Sequence, residues 1–340
     1  MVTSQLQFIQ AIRGMAALLV VYFHTLHPPV FGEFGVDIFF VLSGFIMAML
    51  MERESSAAAF FGRRLVRIVP LYFFLTTLAA VLSWTFPQLR KSGGVPELHH
   101  YILSLLFVPN RTITGDLSPV LSFGWTLNYE MMFYLLCAVS LTFFPRFRIG
   151  ATAVMLGLIL VAGRLADPAG VFGEFAGNPI ILEFLAGMLL WKVAARLGWQ
   201  GASLLALPVV ILLVVSLALF HAQGGWAPAS AGAWARPLNY LLPASFLIFV
   251  AYTHEAAFRQ LWLPLRSVLV RLGDASYAIY LTQVFTLGLL SLFFTKTGLS
   301  SLSSPIGMAI AVLLSALAGV VTHEKFDSWM QKRLRSWLPL

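Results

Sequence analysis

The residues equipped for chemistry are few, and they stand inside apolar sequence. Arg13 and His24 lie 11 positions apart in the first hydrophobic run. At 3.6 residues per turn this is almost three full turns, so on a helix the two side chains share a face and stand about 16 Å apart along the axis. An imidazole titrates near neutrality and can take a proton from a hydroxyl, while a carboxylate beside it orients the ring and stabilises its cation. Asp37, at the start of the next apolar run, is such a carboxylate. A purely structural account competes: His24 as a polar group near a helix end, and Asp37 as the cap of the helix that begins there.

A second group is cationic. Arg63, Arg64 and Arg67 precede Pro70 and Tyr72. Spacings of three and four put Arg67 on one helix face with both of the others, and three guanidiniums within a turn can grip phosphates through forked donors. Anchoring to anionic lipid is the alternative. Thr126, Glu130 and Tyr134 recur every four residues in an otherwise apolar segment. Such a polar stripe lines either a cavity or a helix contact, and an ionisable Glu130 favours the cavity. Trp125 and Asn128 in the same segment, with Tyr277 and Tyr280 further on, are candidates to bind substrate. Glu183, before Gly187, reads as readily as a structural hydrogen-bond partner as a functional one, while Tyr277, Tyr280 and Gln283, at spacing three, read first as a polar edge in interhelical hydrogen bonding.

The elements that must position these groups follow from composition. Of 340 residues 59% are hydrophobic and only 11% charged, and the mean hydropathy is +0.85. A soluble chain carries about 25% charged residues, so this one cannot cover a water-facing surface; nor could 29 Phe and 9 Trp stay solvated in a disordered chain. Ten segments are apolar for about the 20 residues a crossing helix needs: 8–26, 34–51, 66–86, 122–144, 149–165, 179–197, 202–220, 238–253, 275–295 and 305–322. A shorter stretch, 101–108, is expected to be interfacial or re-entrant. The sequence therefore predicts an all-α, polytopic integral membrane bundle of about ten transmembrane helices, a single domain over 1–340.

Threading the loops through these spans leaves 15 of the 22 Lys and Arg on one side and six on the other, with Arg13 inside the first span. The positive-inside rule puts both termini in the cytoplasm. The net charge of +8 then reflects orientation, and no nucleic-acid partner is expected. Residues 1–7 lack a basic n-region and no Ala-x-Ala site follows the first run, so that run is expected to stay as a helix. The one cysteine, Cys137, makes neither a disulfide framework nor a thiolate zinc site.

Taken together the motifs resemble the acyltransferase 3 family of bacterial integral membrane proteins. The resemblance rests on Arg13 with His24, the Gly35-Val36-Asp37 to Ser43-Gly44-Phe45 segment, Arg64-x-x-Arg67 before Pro70 and Tyr72, the stretch from Trp125-Thr126-Leu127 through Glu130 to Phe133-Tyr134, and the later echo Ser276-Tyr277-Ala278-Ile279-Tyr280-Leu281. It implies a ten-helix O-acyltransferase, usually an O-acetyltransferase, of the bacterial inner membrane that modifies extracytoplasmic glycans. The wording around Trp125 is most similar to the exopolysaccharide-modifying branch. Arg13 and His24 map to the family's acyl-transfer pair, and Arg64 and Arg67 to its cytoplasmic motif. Two positions depart: Gln283 stands where many members have His, and the common Glu-Arg-Pro signature is reduced to Glu324-Lys325-Phe326. The extra extracytoplasmic domain of some relatives is not expected here.

On this reading acetyl-CoA is the donor, with no metal, its phosphates on Arg63, Arg64 and Arg67 and its pantetheine arm directed past Arg13 to His24. Asp37 or Glu130 would orient the ring or the acceptor, a glycan that is either free or lipid-linked. Membrane lipid and polysaccharide assembly machinery are the other expected partners. Direct transfer and an acetyl-His intermediate stay open. The competing classes are a transporter or flippase whose buried charges form a relay, and a structural subunit of a polysaccharide export complex.

Overall fold

Where water is excluded, backbone donors and acceptors must bond within their own segment, and a chain this apolar has the α-helix as its simplest answer. The computed structural model describes residues 6–25, 34–89, 94–204, 235–299 and 301–337. Their regular structure is helical, apart from one isolated bridge between Arg111 and Leu117. Five helices among the described residues are long and apolar enough to cross a membrane: Phe34–Met51, Ala57–Thr85, Arg148–Leu165, Ser276–Thr297 and Pro305–Ser336. Gln7–Phe23 and Tyr240–Thr253 are shorter apolar helices. Most expected spans fall on helices with ends shifted by a few residues, while 202–220 lies almost wholly outside the described residues. The stretch 101–108 falls on a short helix, Leu98–Leu105.

The chain divides into two compact units, Met1–Glu52 with Leu182–His323 and Arg53–Ile181 with Glu324–Leu340. In the first unit, α1 (Gln7–Phe23) packs against α2 (Phe34–Met51) and against helices from the C-terminal half of the chain. Leu6, ahead of α1, has no side chain to cap it. The orphan donors are met from far away in sequence: the buried Glu255 carboxylate accepts from the backbone N–H groups of Gln7 and Phe8, both at 2.9 Å. A carboxylate there also complements the positive end of the helix dipole. Arg259 donates to the same carboxylate at 2.8 Å, and Phe258 stacks on Phe8 with ring centroids 4.7 Å apart.

Small residues bring these helices to backbone contact. A Cβ at Gly14 of α1 would meet the backbone at Leu272 and Gly273, and one at Gly273 the Gln10 carbonyl. Likewise a Cβ at Gly44 of α2 would collide with the Phe184 carbonyl, and one at Gly187 with the Val41 carbonyl. Lipid gives helices no hydrophobic reason to associate, so van der Waals contact of this closeness supplies the attraction.

In the second unit, α3 (Ala57–Thr85) is 29 residues long, with Ser56 accepting from the Ala59 N–H at 3.2 Å as its N-cap. At 1.5 Å per residue it measures about 43 Å, some 13 Å more than a hydrocarbon core of about 30 Å. The expected span 66–86 is thus only part of a helix whose first turns carry the three arginines. Here α4 (Leu98–Leu105), α5 (Trp125–Phe143) and α6 (Arg148–Leu165) follow, and Thr152 of α6 donates to Ser140 of α5 at 2.8 Å. Val154, Leu158, Val161 and Leu165 form an exposed apolar stripe along α6, the surface expected of a helix facing lipid.

The crossings predict a contrast. Gly187→Ala should cost more than about 2 kcal/mol through overpacking against backbone, whereas Gly157→Ala, with open space around its Cβ position, should be neutral or gain about 0.5–1 kcal/mol. Unfolding midpoints of the purified variants in detergent check this, and equal midpoints would contradict the packing argument.

Candidate functional site

In the first unit, α1 carries Arg13 and ends at His24, so the pair lies along one continuous helix axis as the spacing requires. Arg13 is buried, and its Nη1 donates to Gln10 Oε1 at 2.9 Å. His24 is half-buried at the helix C-terminus, its Nδ1 2.7 Å from the Val20 carbonyl oxygen. A carbonyl can only accept, so Nδ1 carries the proton of the neutral ring and the lone pair sits on Nε2. The ring lies edge-on to Phe23, with centroids 4.9 Å apart. Asp37 is fully buried in the first turn of α2, inside the helix and not ahead of it as a cap would be. Glu183 is fully buried one turn before Gly187 in α8 (Ile181–Leu204), the helix that follows the short α7 (Val171–Ala176).

The later helix Ser276–Thr297 holds Tyr280 buried against Phe39, ring centroids 6.1 Å apart, with Tyr277 half-buried. Gln283 donates from Nε2 to the Tyr280 carbonyl at 2.9 Å, and its buried Oε1 has no partner among the described residues. Glu324 is exposed in a π-helical turn, His323–Asp327.

The second unit holds the cationic group. The three arginines of α3 have different environments. Arg63 is ion-paired with Glu54, whose other carboxylate oxygen accepts from the Ser55 and Ser56 N–H groups at 3.1 and 3.2 Å. Arg148 donates to the Glu54 carbonyl at 2.6 Å, so this turn is pinned from two helices. Arg64 stands in the field of its two neighbouring arginines on one hand and of Tyr134 and Glu130 on the other, and its buried Nε lacks a partner among the described residues. Arg67 is half-buried, with no carboxylate paired to it among the described residues. Tyr134 donates to Glu130 at 3.0 Å, so two members of the stripe read from sequence are bonded to each other and sit within electrostatic reach of Arg64.

Residues whose roles do not show in the sequence, Tyr72 of the arginine motif among them, hold the start of α5 in place. Tyr72 is fully buried and donates to the Ser104 carbonyl at 3.0 Å. Its ring stacks on Phe107 with centroids 4.6 Å apart. Phe107 adopts φ +57°, closing α4 in a Schellman turn: its N–H bonds to Ser104 and that of Val108 to Leu103. Glycine usually fills that position, and the side chain costs about 1–2 kcal/mol, offset here by the Tyr72 stack. Gly124 leaves room for the other edge of the Tyr72 ring, which a Cβ would approach to 2.7 Å. Ser104 Oγ accepts from the Val120 N–H at 3.0 Å, tying α4 to the chain that enters α5.

That placement opens a cleft of about 100 Å³ within the unit, lined in part by Trp125, Asn128, Tyr129, Phe175 and Asn110. Trp125 and Asn128, both expected at a substrate site, are brought together here; Glu130 is not among the cleft's lining residues. Tyr129 stacks on Phe175 with centroids 4.1 Å apart and donates to its carbonyl at 3.0 Å. The lock on α5 is testable by unfolding midpoints. Tyr72→Phe should cost about 1 kcal/mol for one hydrogen bond, and Gly124→Val, which must displace the ring, should cost more; equal losses would contradict the lock.

Against known proteins, the profile of a family described as Acyltransferase domain matches residues 6–324. The chain is 35% identical over 324 residues to Exopolysaccharide production protein ExoZ of Rhizobium meliloti (strain 1021), covering 92% of this chain and 93% of that protein. It is 24% identical to Acyltransferase MdmB of Streptomyces mycarofaciens, over 76% and 69% of the two chains. With Nodulation protein 10 of Rhizobium leguminosarum bv. viciae the figures are 26% identity, 74% and 71%. No solved structure matches.

Proposed function

The chain belongs to the acyltransferase 3 family, and from that premise we propose that it is an O-acetyltransferase of the bacterial inner membrane, carrying an acetyl group from cytoplasmic acetyl-CoA to a hydroxyl of an extracytoplasmic glycan, with exopolysaccharide as the acceptor class. The proposal includes about ten transmembrane helices in one functional domain with both termini in the cytoplasm. The observation that carries it is the hydrogen bond from His24 Nδ1 to the Val20 carbonyl, which leaves Nε2 as the basic nitrogen of a neutral ring. The name of the rhizobial relative, an exopolysaccharide production protein, supports the acceptor class.

In this reading His24 Nε2 takes the proton of a sugar hydroxyl as its oxygen attacks the thioester carbonyl. The carbon–sulfur bond breaks, and the imidazolium returns the proton to the leaving thiolate. Asp37 acts on the orientation of ring or acceptor. Arg64 and Arg67 suit the donor phosphates, because one has a buried nitrogen without a partner and the other is unpaired with any carboxylate among the described residues. Arg63, held by Glu54, contributes charge more than contact. Arg13, buried further along the His24 helix, suits the donor's path.

In a deletion strain complemented with His24→Ala, the ester content of extracellular polysaccharide should fall to the level of the deletion while the protein still accumulates in the membrane. Ester at the wild-type level would remove His24 from the chemistry. For purified protein, Arg64→Ala with Arg67→Ala should raise the KM for acetyl-CoA at least tenfold and Arg63→Ala distinctly less. Unchanged donor dependence would remove the phosphate role.

A further inference from the structure

The cleft at the start of α5 has a chemistry that narrows what it can hold. Asn110 and Asn128 are both more than nine-tenths buried and line it, and neither side-chain oxygen has a partner among the described residues. For Asn110 the assignment is fixed by the structure, since its Nδ2 donates to the Val108 carbonyl at 2.8 Å. A buried acceptor left unsatisfied costs about 1–3 kcal/mol, so the two oxygens call for hydroxyl or amide donors from whatever enters. One wall is aromatic, with Trp125 edge-on to Tyr129 at 6.0 Å and Tyr129 stacked on Phe175.

Charge and size narrow the choice further. Among the described residues no Lys or Arg lines the cleft, and the one acidic residue that does, Glu174, is ion-paired with Arg111 at 2.6 Å. Among the described residues an anion would therefore meet acceptor oxygens and a carboxylate whose charge Arg111 already takes up. About 100 Å³ admits on the order of seven to ten waters at 10–15 Å³ each. That suits one ring, not a chain of them. A neutral ring with hydroxyls on its edge and an apolar C–H face is a pyranose, and aromatic side chains beside a few placed polar groups are the usual composition of a small-ligand pocket.

We propose that this cleft is an acceptor subsite that holds one neutral pyranose unit of the glycan, its hydroxyls donating to Asn110 and Asn128 and its C–H face against the Trp125, Tyr129 and Phe175 wall. The inference rests on the acyltransferase reading, in which three crossings from a cytoplasmic N-terminus (8–26, 34–51 and 66–86) put the N-terminus of α5 on the extracytoplasmic side. It goes beyond that reading by assigning ring recognition to Asn110 and Phe175, which lie outside the motifs, and to Tyr129, which lies inside one without a role of its own.

The test uses the full-length protein in detergent and, as probe, the repeat-unit oligosaccharide obtained by fragmenting and deacetylating the producing strain's own extracellular polysaccharide. The variants are Asn110→Leu with Asn128→Leu, which removes both acceptors at similar volume, and Trp125→Ala, at a half-buried position where folding is less at risk. Each should raise the KM for the oligosaccharide at least tenfold, leave the KM for acetyl-CoA within twofold, and abolish saturation transfer from protein to the sugar-ring protons. Trp125→Phe, which keeps an aromatic face, should restore most of the loss. Unchanged oligosaccharide KM and saturation transfer in folded variants would overturn the subsite while leaving the acyltransferase reading intact. Wild-type protein that binds the oligosaccharide through these residues but transfers no acetyl group would overturn the acyltransferase reading and leave the subsite. Absence of wild-type binding would overturn the subsite.

Discussion

The cost of holding an ion away from water governs this molecule. At about 2.5–3.5 kcal/mol per charge on insertion scales, buried charges persist only with partners or with a use. The first unit answers with local and long-range bonds: Gln10 accepts from Arg13, and Glu255 closes the N-terminus of the helix that Arg13 and His24 share. In the second, Glu54 takes up Arg63, while Glu130 bonded to Tyr134 offsets the charge of Arg64. The same constraint shapes neutral groups. His24 donates its Nδ1–H to a backbone carbonyl and thereby has one defined basic nitrogen.

Much of the fold was legible because its signals are local. A crossing helix announces itself as a run of apolar residues, and the run 34–51 coincides with α2 residue for residue. The stripe on α5 was legible for the same reason: residues four apart on a helix are neighbours, and Tyr134 reaches Glu130. The length of α3 was harder to read, because Arg63, Arg64 and Arg67 interrupt the apolar run while the same helix continues from the Ser56 cap.

What stayed hidden depends on chain segments meeting far from each other in sequence. Nothing about Glu255 marks it as the cap of a helix that begins 248 positions earlier. The composition of the arginine group suggests three equivalent phosphate grips, but only three-dimensional placement reveals that Glu54 occupies one of them. The aromatic and amide cleft needs Asn110, Trp125 and Phe175 from three segments, brought into register by a tyrosine and a strained phenylalanine on α3 and α4's closing turn. Family membership supplied the reaction class, and the structure supplies the atoms on which its details can be tried.

The central claim is that an acyl group, donated at one face, ends as an ester on a glycan at the other. Its most direct measurement places the purified protein in sealed liposomes with labelled acetyl-CoA on the cytoplasmic-facing side and deacetylated glycan on the opposite side. The account predicts alkali-labile label on the glycan and free coenzyme A only on the donor side, both dependent on His24. Movement of unlabelled glycan across the bilayer without ester formation would contradict it and make the protein a transporter.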